Sequence, residues 1–487
     1  MIISPIGALF LLLGIAVALL NIRKLYGLIF IASVFNGTFG VAFNYGSGIS
    51  ILPSPMLTSV FILAIYSLHL FNIHRLRVKE IVKLRNYLFG LGLAGVVSLL
   101  IALILFAGTV HRIIPGGVSE EIYDAVPLFF TNSNVAQTIY WILSASLVYA
   151  AAISGYYNKI TSAQLIRLCI ITCVFVCSVG IYEVTSSLLN LPFPHGMLIN
   201  AAFIDIPPDR FNMAGFFGIS ISRMSATFGE PSHLSIFLLG ILALLLTDSN
   251  RKTKFISIYI ILCLILTFSS TAFIGMMIIL FLTLLKLKPI RVIISLAILI
   301  SILIPFAIYS DARIIDAWLQ TVIFKLGDFG GYELGNHSSA AERMYWDYTA
   351  IRAFIDTFGV GVGFGSTRAS SFLLTTVASS GVIGVFLCYK IYILFKTNYK
   401  LALDVKSKDT ANIKGLSYCV ALWLVGASIS NPDFINSHYC WVVLGGVLGQ
   451  VLRHASASIN HISSMGASKN LEVLRCRRYN DNLLGTR

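Results

Sequence analysis

The chain has 487 residues, of which 57% are hydrophobic and only 11% are charged, and its mean hydropathy is +0.85. Soluble domains carry about 25% charged residues, so this composition excludes a soluble globular protein and indicates a membrane protein with many spans. The net charge of +14 does not require a nucleic-acid partner, because the basic residues are distributed as membrane topology predicts.

Apolar runs of about 20 residues are the unit that crosses a bilayer. The first run lacks a basic leader and a cleavage site, so we expect it to be retained as a span. The eighth and ninth runs are short, and FSSTAF between them predicts a tight hairpin or a partly re-entrant pair. The thirteen candidate spans lie near residues 2–20, 27–45, 54–73, 88–109, 136–155, 167–189, 232–248, 255–269, 271–285, 291–309, 370–395, 415–430 and 438–452.

The connections between these runs alternate in charge. Most of the 35 basic residues fall in every second connection, as in HRLRVKEIVKLR (74–85), RKTK (251–254) and KLKPIR (286–291). The positive-inside rule assigns these connections to the cytoplasm, which predicts an outer N-terminus and a cytoplasmic C-terminus. Among the spans, Glu183 is the main charged exception.

We therefore expect an all-α polytopic membrane protein. Residues 1–452 form one membrane domain, and residues 453–487 form a basic cytoplasmic tail. Three outer loops are long, at 110–135, 190–231 and 310–369. The first of these loops is acidic and is expected to be a solvated cover.

Ionisable residues stand at the start of the seventh span, in SRMSATFGEPSHLS (222–235). A charge near the middle of a bilayer costs roughly 2.5–3.5 kcal/mol, so charges at the lip of a span need a reason. Pro231 suits the first turn of a helix, which places Glu230 at its N-terminus, where the helix dipole favours the ionised carboxylate. Two interpretations stay open: Glu230 and Arg223 form part of a site, or Glu230 caps the helix and Arg223 is a surface cation.

The third outer loop contains ERMYWDYTAIRAFIDTFGVGVGFGS. Helical spacing predicts a helix over 340–357, with Arg343 and Asp347 four residues apart. Glycine then occupies every second position from Gly359 to Gly365. This run is either a loop whose bare backbone lets a phosphate or sugar approach closely or a flexible re-entry turn.

Arginines on a face that the positive-inside rule keeps poor in cations suggest an anionic ligand. The planar guanidinium suits bidentate binding of phosphate oxygens. No group of histidines and acids has metal-ligand spacing, and cysteines such as Cys169, Cys173 and Cys177 are expected to pack as small apolar residues. No metal and no cofactor are therefore expected. The outer arginines are Arg210, Arg223, Arg343, Arg352 and Arg368.

At these residues the chain resembles the O-antigen polymerase and O-antigen ligase family of bacterial membrane glycosyltransferases. The resemblance rests on RMSATFGEPSHLSIFLLG, on the FSSTAFIG hairpin, and on the late outer loop followed by SSGVIGVFLCYKI, and it covers roughly residues 200–450. The polymerases often carry an arginine followed after ten residues by a glycine, a spacing that Arg352 and Gly363 share. Arg210 and Arg223 depart from that spacing.

The resemblance implies a GT-C-like enzyme in the bacterial inner membrane that takes part in lipopolysaccharide or other polysaccharide biosynthesis. Its donor would be an undecaprenyl-pyrophosphate-linked oligosaccharide, with a chain-length regulator protein as a candidate partner. Such a transfer needs cations for the leaving pyrophosphate and a base for the acceptor hydroxyl. We expect Arg210, Arg223, Arg343 and Arg352, with Gly363, to bind substrate, and Glu230, His195 or His337 to be the base.

Two alternatives remain. The ligase branch of the family transfers finished polymer to lipid A-core and carries a histidine in the late outer loop, where His337 is the nearest equivalent. A flippase or transporter for the same lipid-linked sugars would instead favour internal repeats and charges within the spans. Polymerase is the favoured interpretation, because the flanks of His337 match the ligases poorly and the ionisable residues concentrate in outer loops.

Overall fold

The structure is a computed structural model of the chain. It describes residues 2–21, 24–42, 50–70, 79–112, 126–198, 212–216, 219–247, 251–284, 339–403 and 408–458.

Helices make up most of the described chain, as the composition predicts. Most of the predicted spans coincide with helices, whereas the candidate at 291–309 lies outside the described residues. The helices are α1 Pro5–Asn21, α2 Leu25–Ser33, α3 Pro53–Leu70, α4 Lys79–Leu105, α5 Asn132–Tyr156, α6 Ser162–Leu189, α7 His195–Leu198, α8 Pro231–Leu245, α9 Arg251–Leu266, α10 Ser270–Leu284, α11 Ser339–Asp356, α12 Phe372–Leu403, α13 Lys408–Ser430, a 3₁₀ turn Pro432–Asn436, and α14 at 438–458.

Strands within the described ranges are short and antiparallel. β1 (Ile2–Ile3), β2 (Val41–Ala42) and β3 (Ser50–Ile51) form one sheet, in which Ile2 pairs with Ala42 and Val41 with Ile51. Two further hairpins are built in the same way. These are β4 (His111–Arg112) with β5 (Val126–Pro127), and β6 (Asn212–Phe216) with β7 (Ile219–Ser222).

Five described helices are long and apolar enough to cross a membrane. This confirms the class of helical membrane protein, since a span needs about 20 apolar residues. Shorter apolar helices accompany them at Pro5–Asn21, Pro53–Ser67, Pro231–Leu245, Thr253–Leu266 and Ser270–Phe281. The five long ones are Lys79–Leu105, Asn132–Tyr156, Ser162–Leu189, Phe372–Leu403 and Asp409–Ser430.

One predicted span is wrong as a continuous helix. The run at 27–45 is helical only to Ser33, so its 9-residue helix is about 14 Å long, roughly half the hydrocarbon thickness. The chain then turns, because the Val34 carbonyl accepts a hydrogen bond from Thr227 Oγ1 (2.6 Å) and Gly37 packs directly on Gly229. A tertiary contact nearly 200 residues away therefore interrupts the apolar run.

The centre of the bundle is α8, in which nearly every side chain is buried. A helix that is apolar on all sides belongs in the interior of a bundle. Trp423 of α13 donates its indole N–H to the Phe237 carbonyl (3.0 Å) and fills the space beside Gly240. This packing holds the middle of α8 against α13.

Helix ends meet in two groups. Asn134 at the start of α5 donates to Ser366 Oγ (2.7 Å), and Thr271 of α10 lies 2.9 Å from Ser430 at the end of α13. At the opposite end of the bundle, Gln450 of α14 donates to the Ile160 carbonyl (2.9 Å). The contacts thus bring together the ends that the charge pattern assigns to the same side.

Reporter fusions or cysteine labelling should place residues 200–225 and 315–365 outside, and residues 75–85, 251–254 and 400–412 inside. The measurement is modification by a membrane-impermeant maleimide before and after lysis. Labelled positions 251–254 serve as the inner control. Protection of the 315–365 segment in intact cells would contradict the prediction and remove the basis of the function proposed below.

Candidate functional site

The candidate site is built on the turn between β7 and α8. The buried carboxylate of Glu183 in α6 holds this turn in place, and Glu183 is only 2% exposed. It accepts hydrogen bonds from the Ser225 amide (2.8 Å), the Ser225 hydroxyl (2.8 Å) and the Ala226 amide (2.7 Å). Ala226 adopts a positive φ of 56°, which an alanine keeps only where its surroundings enforce it. Glu183 therefore shapes the turn that presents the neighbouring Arg223.

The same turn is also fixed from the side of α2. The Thr227 hydroxyl donates to the Val34 carbonyl, and a Cβ on Gly37 would lie 2.9 Å from the Gly229 amide nitrogen. Only glycine lets the two backbones approach this closely. The turn is thus clamped between α6 and the segment that follows α2, as a preorganised site requires.

Arg223 lies half-buried above the connection between α9 and α10. Its Nε donates to the Thr267 carbonyl (3.2 Å), directly before the FSSTAF segment. Burial lowers the pKa of the Arg223 guanidinium; the nearby Glu230 carboxylate raises this pKa and the nearby Arg343 guanidinium lowers it. The structure therefore brings three of the predicted site residues into one electrostatic group.

Glu230 occupies the N-cap position of α8, as Pro231 predicts, but its side chain makes no capping hydrogen bond. Its Oε2 accepts from the Ser232 hydroxyl (3.1 Å) and lies 3.9 Å from Nε2 of the buried His233. The Glu230 side chain is 38% exposed. The carboxylate thus faces outward beside Arg223 and is accessible to a ligand.

The predicted helix at 340–357 is confirmed as α11, which carries Arg343 and Arg352. The spacing of Arg343 and Asp347 does not mark a pair on this helix, because Asp347 accepts the amide (2.7 Å) and hydroxyl (2.6 Å) of Ser370 instead. Arg352 is 57% exposed and lies 3.9 Å from Asp356. Of these two arginines, the structure places Arg343 in the group around Arg223.

The segment after α11 folds back onto the start of α12. The Arg368 guanidinium lies 4.1 Å from the ring centroid of Trp346, a distance typical of a cation–π contact. With the Asp347–Ser370 hydrogen bonds, this contact fixes the 366–371 segment against α11.

The glycines at 359–365 allow the backbone of this segment to pack closely against neighbouring helices. Gly359, Gly361, Gly363 and Gly365 all have positive φ, between 76° and 86°. A Cβ on Gly361 would lie 2.7 Å from the Gly381 amide nitrogen, and one on Gly363 would overlap Leu99. The Gly363 amide donates to the Ser379 carbonyl (3.0 Å), so Gly363 faces neighbouring helices rather than a ligand. Neither a bare ligand cradle nor a flexible turn describes this segment.

The remaining predicted residues lie apart from this group or outside the described ranges. The His195 ring packs edge-on against Phe193, with centroids 4.6 Å apart, and burial lowers its pKa. Arg210 and His337 lie outside the described residues. His195 therefore retains its predicted role without a contact that links it to Arg223.

Two buried residues were assigned no role from the sequence. Glu183 was visible as a single acid in a span, a pattern that marks function or structure, but its partner lies 42 residues along the chain. His438 is fully buried, and its Nδ1 lies 2.9 Å from the Ser54 hydroxyl. Nothing in the local sequence around His438 indicates this contact.

Chemically, the group around Arg223 can bind an anion and accept a proton. Two guanidinium groups supply directed N–H donors, and an exposed carboxylate stands beside them. Within the described ranges, no group of three or more histidine, cysteine and acidic side chains is arranged to hold a metal ion.

Comparison with protein-family models, with curated proteins and with solved structures finds no match for the chain.

Proposed function

We propose that the protein is a membrane glycosyltransferase that polymerises undecaprenyl-pyrophosphate-linked oligosaccharide repeat units into O-antigen or a related surface polysaccharide. The observation that carries this proposal is the grouping of Arg223, Arg343 and Glu230 on a clamped turn. The reaction belongs at the outer face of the bacterial inner membrane, with the N-terminus outside and the C-terminus in the cytoplasm.

Two like charges held close together are unfavourable without an anion between them. Arg343 acts on Arg223 in this way, since the Arg343 charge lowers the pKa of the Arg223 guanidinium. A pyrophosphate would offset this repulsion and accept hydrogen bonds from both planar guanidiniums. The two arginines are therefore suited to binding an anionic glycosyl donor.

The transfer itself needs a base and a stabilised leaving group. Glu230 takes the proton from the acceptor hydroxyl as that oxygen forms a bond to the anomeric carbon of the donor. The bond from that carbon to the phosphate oxygen breaks, and the pyrophosphate leaves with its charge held by Arg223 and Arg343. His233 lies beside this carboxylate, with its Nε2 3.9 Å from Glu230 Oε2.

The buried acid of α6 favours an enzyme over a carrier. A transporter uses charges within its spans as relays or substrate sites. Glu183 already accepts three hydrogen bonds from a loop of the same chain, which gives it a structural task. A ligase that transfers polymer to lipid A-core remains the second candidate, with the same donor chemistry.

The test is the glycan made by cells that lack the gene. We expect lipid carrying single repeat units, restored to long polymer by the intact chain, and we expect chelators to leave polymerisation by the purified protein largely intact. Intact polymer that is no longer attached to its acceptor would identify the ligase. Accumulation of repeat units on the cytoplasmic leaflet would identify a flippase and overturn the proposal.

A further inference from the structure

The helix α11 carries an exposed apolar face. Four exposed side chains recur at intervals of three or four residues, which places them on one side of the helix: Tyr348, Ile351, Ile355 and Phe358. On the other side, Ala350 and Ala353 are fully buried against the protein. Single exposed apolar residues are ordinary on a protein surface, whereas a continuous apolar helix face marks an interaction surface.

A charged strip adjoins this face. Arg352 and Asp356 are both exposed and lie 3.9 Å apart, one turn from each other along α11. Each follows a residue of the apolar face in the chain, so it points about 100° away from that face around the helix axis. An apolar face beside a charged one is typical of a helix that lies in the plane of a membrane surface.

The chain enters the bundle directly after α11. The Phe364 ring stacks on Trp141 of α5, with centroids 4.4 Å apart, and a Cβ on Gly95 of α4 would lie 2.9 Å from the Phe364 ring. Gly95 stands ten residues before the end of α4 at Leu105, a distance of about 15 Å along the helix. This is roughly half the thickness of the hydrocarbon core. The end of α11 therefore lies at the level where the spanning helices leave the membrane.

The apolar face of α11 is continuous with surfaces that face lipid. The spanning helix α4 exposes an apolar stripe, which consists of Phe89, Leu93, Leu100 and Ile104. Just beyond this stripe, the Phe106 ring contacts the Phe358 ring, with centroids 6.2 Å apart. A Cβ on Gly359 would lie 3.1 Å from the exposed Val382 side chain of the spanning helix α12. The lipid-facing surfaces of two spans thus meet at the end of α11.

We propose that α11 lies in the plane of the membrane, with its apolar face inserted into the outer leaflet at the boundary between head groups and acyl chains. The partner of this face is the lipid surface itself. Arg343 stands fifteen residues before Phe358, about 22 Å along the helix axis. Insertion of the apolar face therefore fixes the height at which Arg343 faces Arg223, whatever reaction these arginines serve.

The test uses the full-length protein in nanodiscs of phosphatidylethanolamine and phosphatidylglycerol, with the photoreactive residue p-benzoylphenylalanine in place of Ile355. Irradiation joins this probe to whatever covers it, and mass spectrometry identifies the adduct. We expect phospholipid adducts in about the yield given by the same probe at the lipid-facing Ile104, which is 77% exposed. The matched control is the probe in place of Asp356, on the charged strip, which should give roughly tenfold fewer lipid adducts.

A second variant tests the apolar character of the face. With the probe in place of Tyr348, Ile355→Asp should lower the yield of lipid adducts severalfold, because a charge opposes insertion, while the yield at Ile104 stays unchanged. Should the probe at Ile355 lower the amount of folded protein, the same probe in place of Ile351 reports on the same face.

Three results would overturn the inference. A crosslinked dimer in place of lipid adducts would show that a second copy of the chain covers the face, and a crosslink to a different protein would assign the face to that protein. A lipid yield at Ile355 no higher than at Asp356 would show that the face lies in water. The readout is a lipid adduct and not polymer, so its failure is distinct from failure of the proposed function.

Discussion

Replacing Glu183 with alanine is expected to lower the free energy of unfolding by roughly 3–5 kcal/mol. The change removes the acceptor for two backbone amides and one hydroxyl in a buried region. Each buried donor left without a partner costs about 1–3 kcal/mol. The measurement is thermal unfolding of the purified protein in a fixed detergent, together with its abundance in membranes.

A graded set of variants separates the hydrogen bonds from general damage to α6. Glu183→Gln keeps the size of the side chain but presents an NH₂ group to donors, so it should lose most of the same stability. Ser225→Ala removes one bond and should cost only about 1 kcal/mol. Glu80→Ala is the matched control, since Glu80 is a partly exposed acid paired with Lys83 at 3.3 Å, and such pairs contribute little.

The same variants report on function. If Glu183 positions the turn that presents Arg223 and Glu230, the folded fraction of Glu183→Gln should polymerise poorly even where its abundance is matched. Normal stability and normal polymer from Glu183→Gln would show that the three hydrogen bonds do not hold the turn.

The sequence alone predicts the elements that depend on local composition. Apolar length and charge placement identify helices such as α5 and α6, and Pro231 identifies the start of α8. These signals are local, so no tertiary structure is needed to interpret them. The grouping of Arg223 with Glu230 also follows from their closeness in sequence.

The features that the sequence does not predict depend on contacts between distant segments of the chain. The break after α2 comes from the packing of Gly37 on Gly229, and no apolar pattern records a partner nearly 200 residues away. The glycine run was interpreted from its freedom of conformation, whereas its positive φ angles serve to fit helix backbones together. Asp347 has a helical partner by spacing, yet the neighbouring loop offers two donors at once through Ser370.

Arg343 differs from Arg223 in what its loss should do to stability. Because the Arg343 charge opposes that of Arg223, Arg343→Ala should leave thermal stability unchanged or slightly higher while polymer formation falls. Arg223→Ala should lose polymer and, with its hydrogen bond to Thr267, some stability. This difference distinguishes a ligand-binding pair from two structural cations.

Replacing Arg223, Arg343 or Glu230 is expected to reduce polymer formation by about 100-fold or more, the range found when a charge-stabilising donor or a general base is removed. Lysine at either arginine position should rescue only in part, because it keeps the charge and loses the planar fork. Glu230→Gln should fail as badly as Glu230→Ala, since it keeps the shape and loses the base. The thermal stability of the Glu230→Gln protein should change little, because the Glu230 carboxylate makes no capping hydrogen bond.

The measurement is polymer length on gels at matched membrane abundance, with Arg453→Ala as the control for an exposed arginine at the other end of the bundle. The two roles of Glu230 give opposite results. A helix cap would cost about 0.5–2 kcal/mol of stability when removed and would tolerate glutamine. Near-normal polymer from Glu230→Gln would therefore contradict the role of Glu230 as the base. His195 or His337 would then be the candidate base, and replacing that histidine with alanine should abolish polymer.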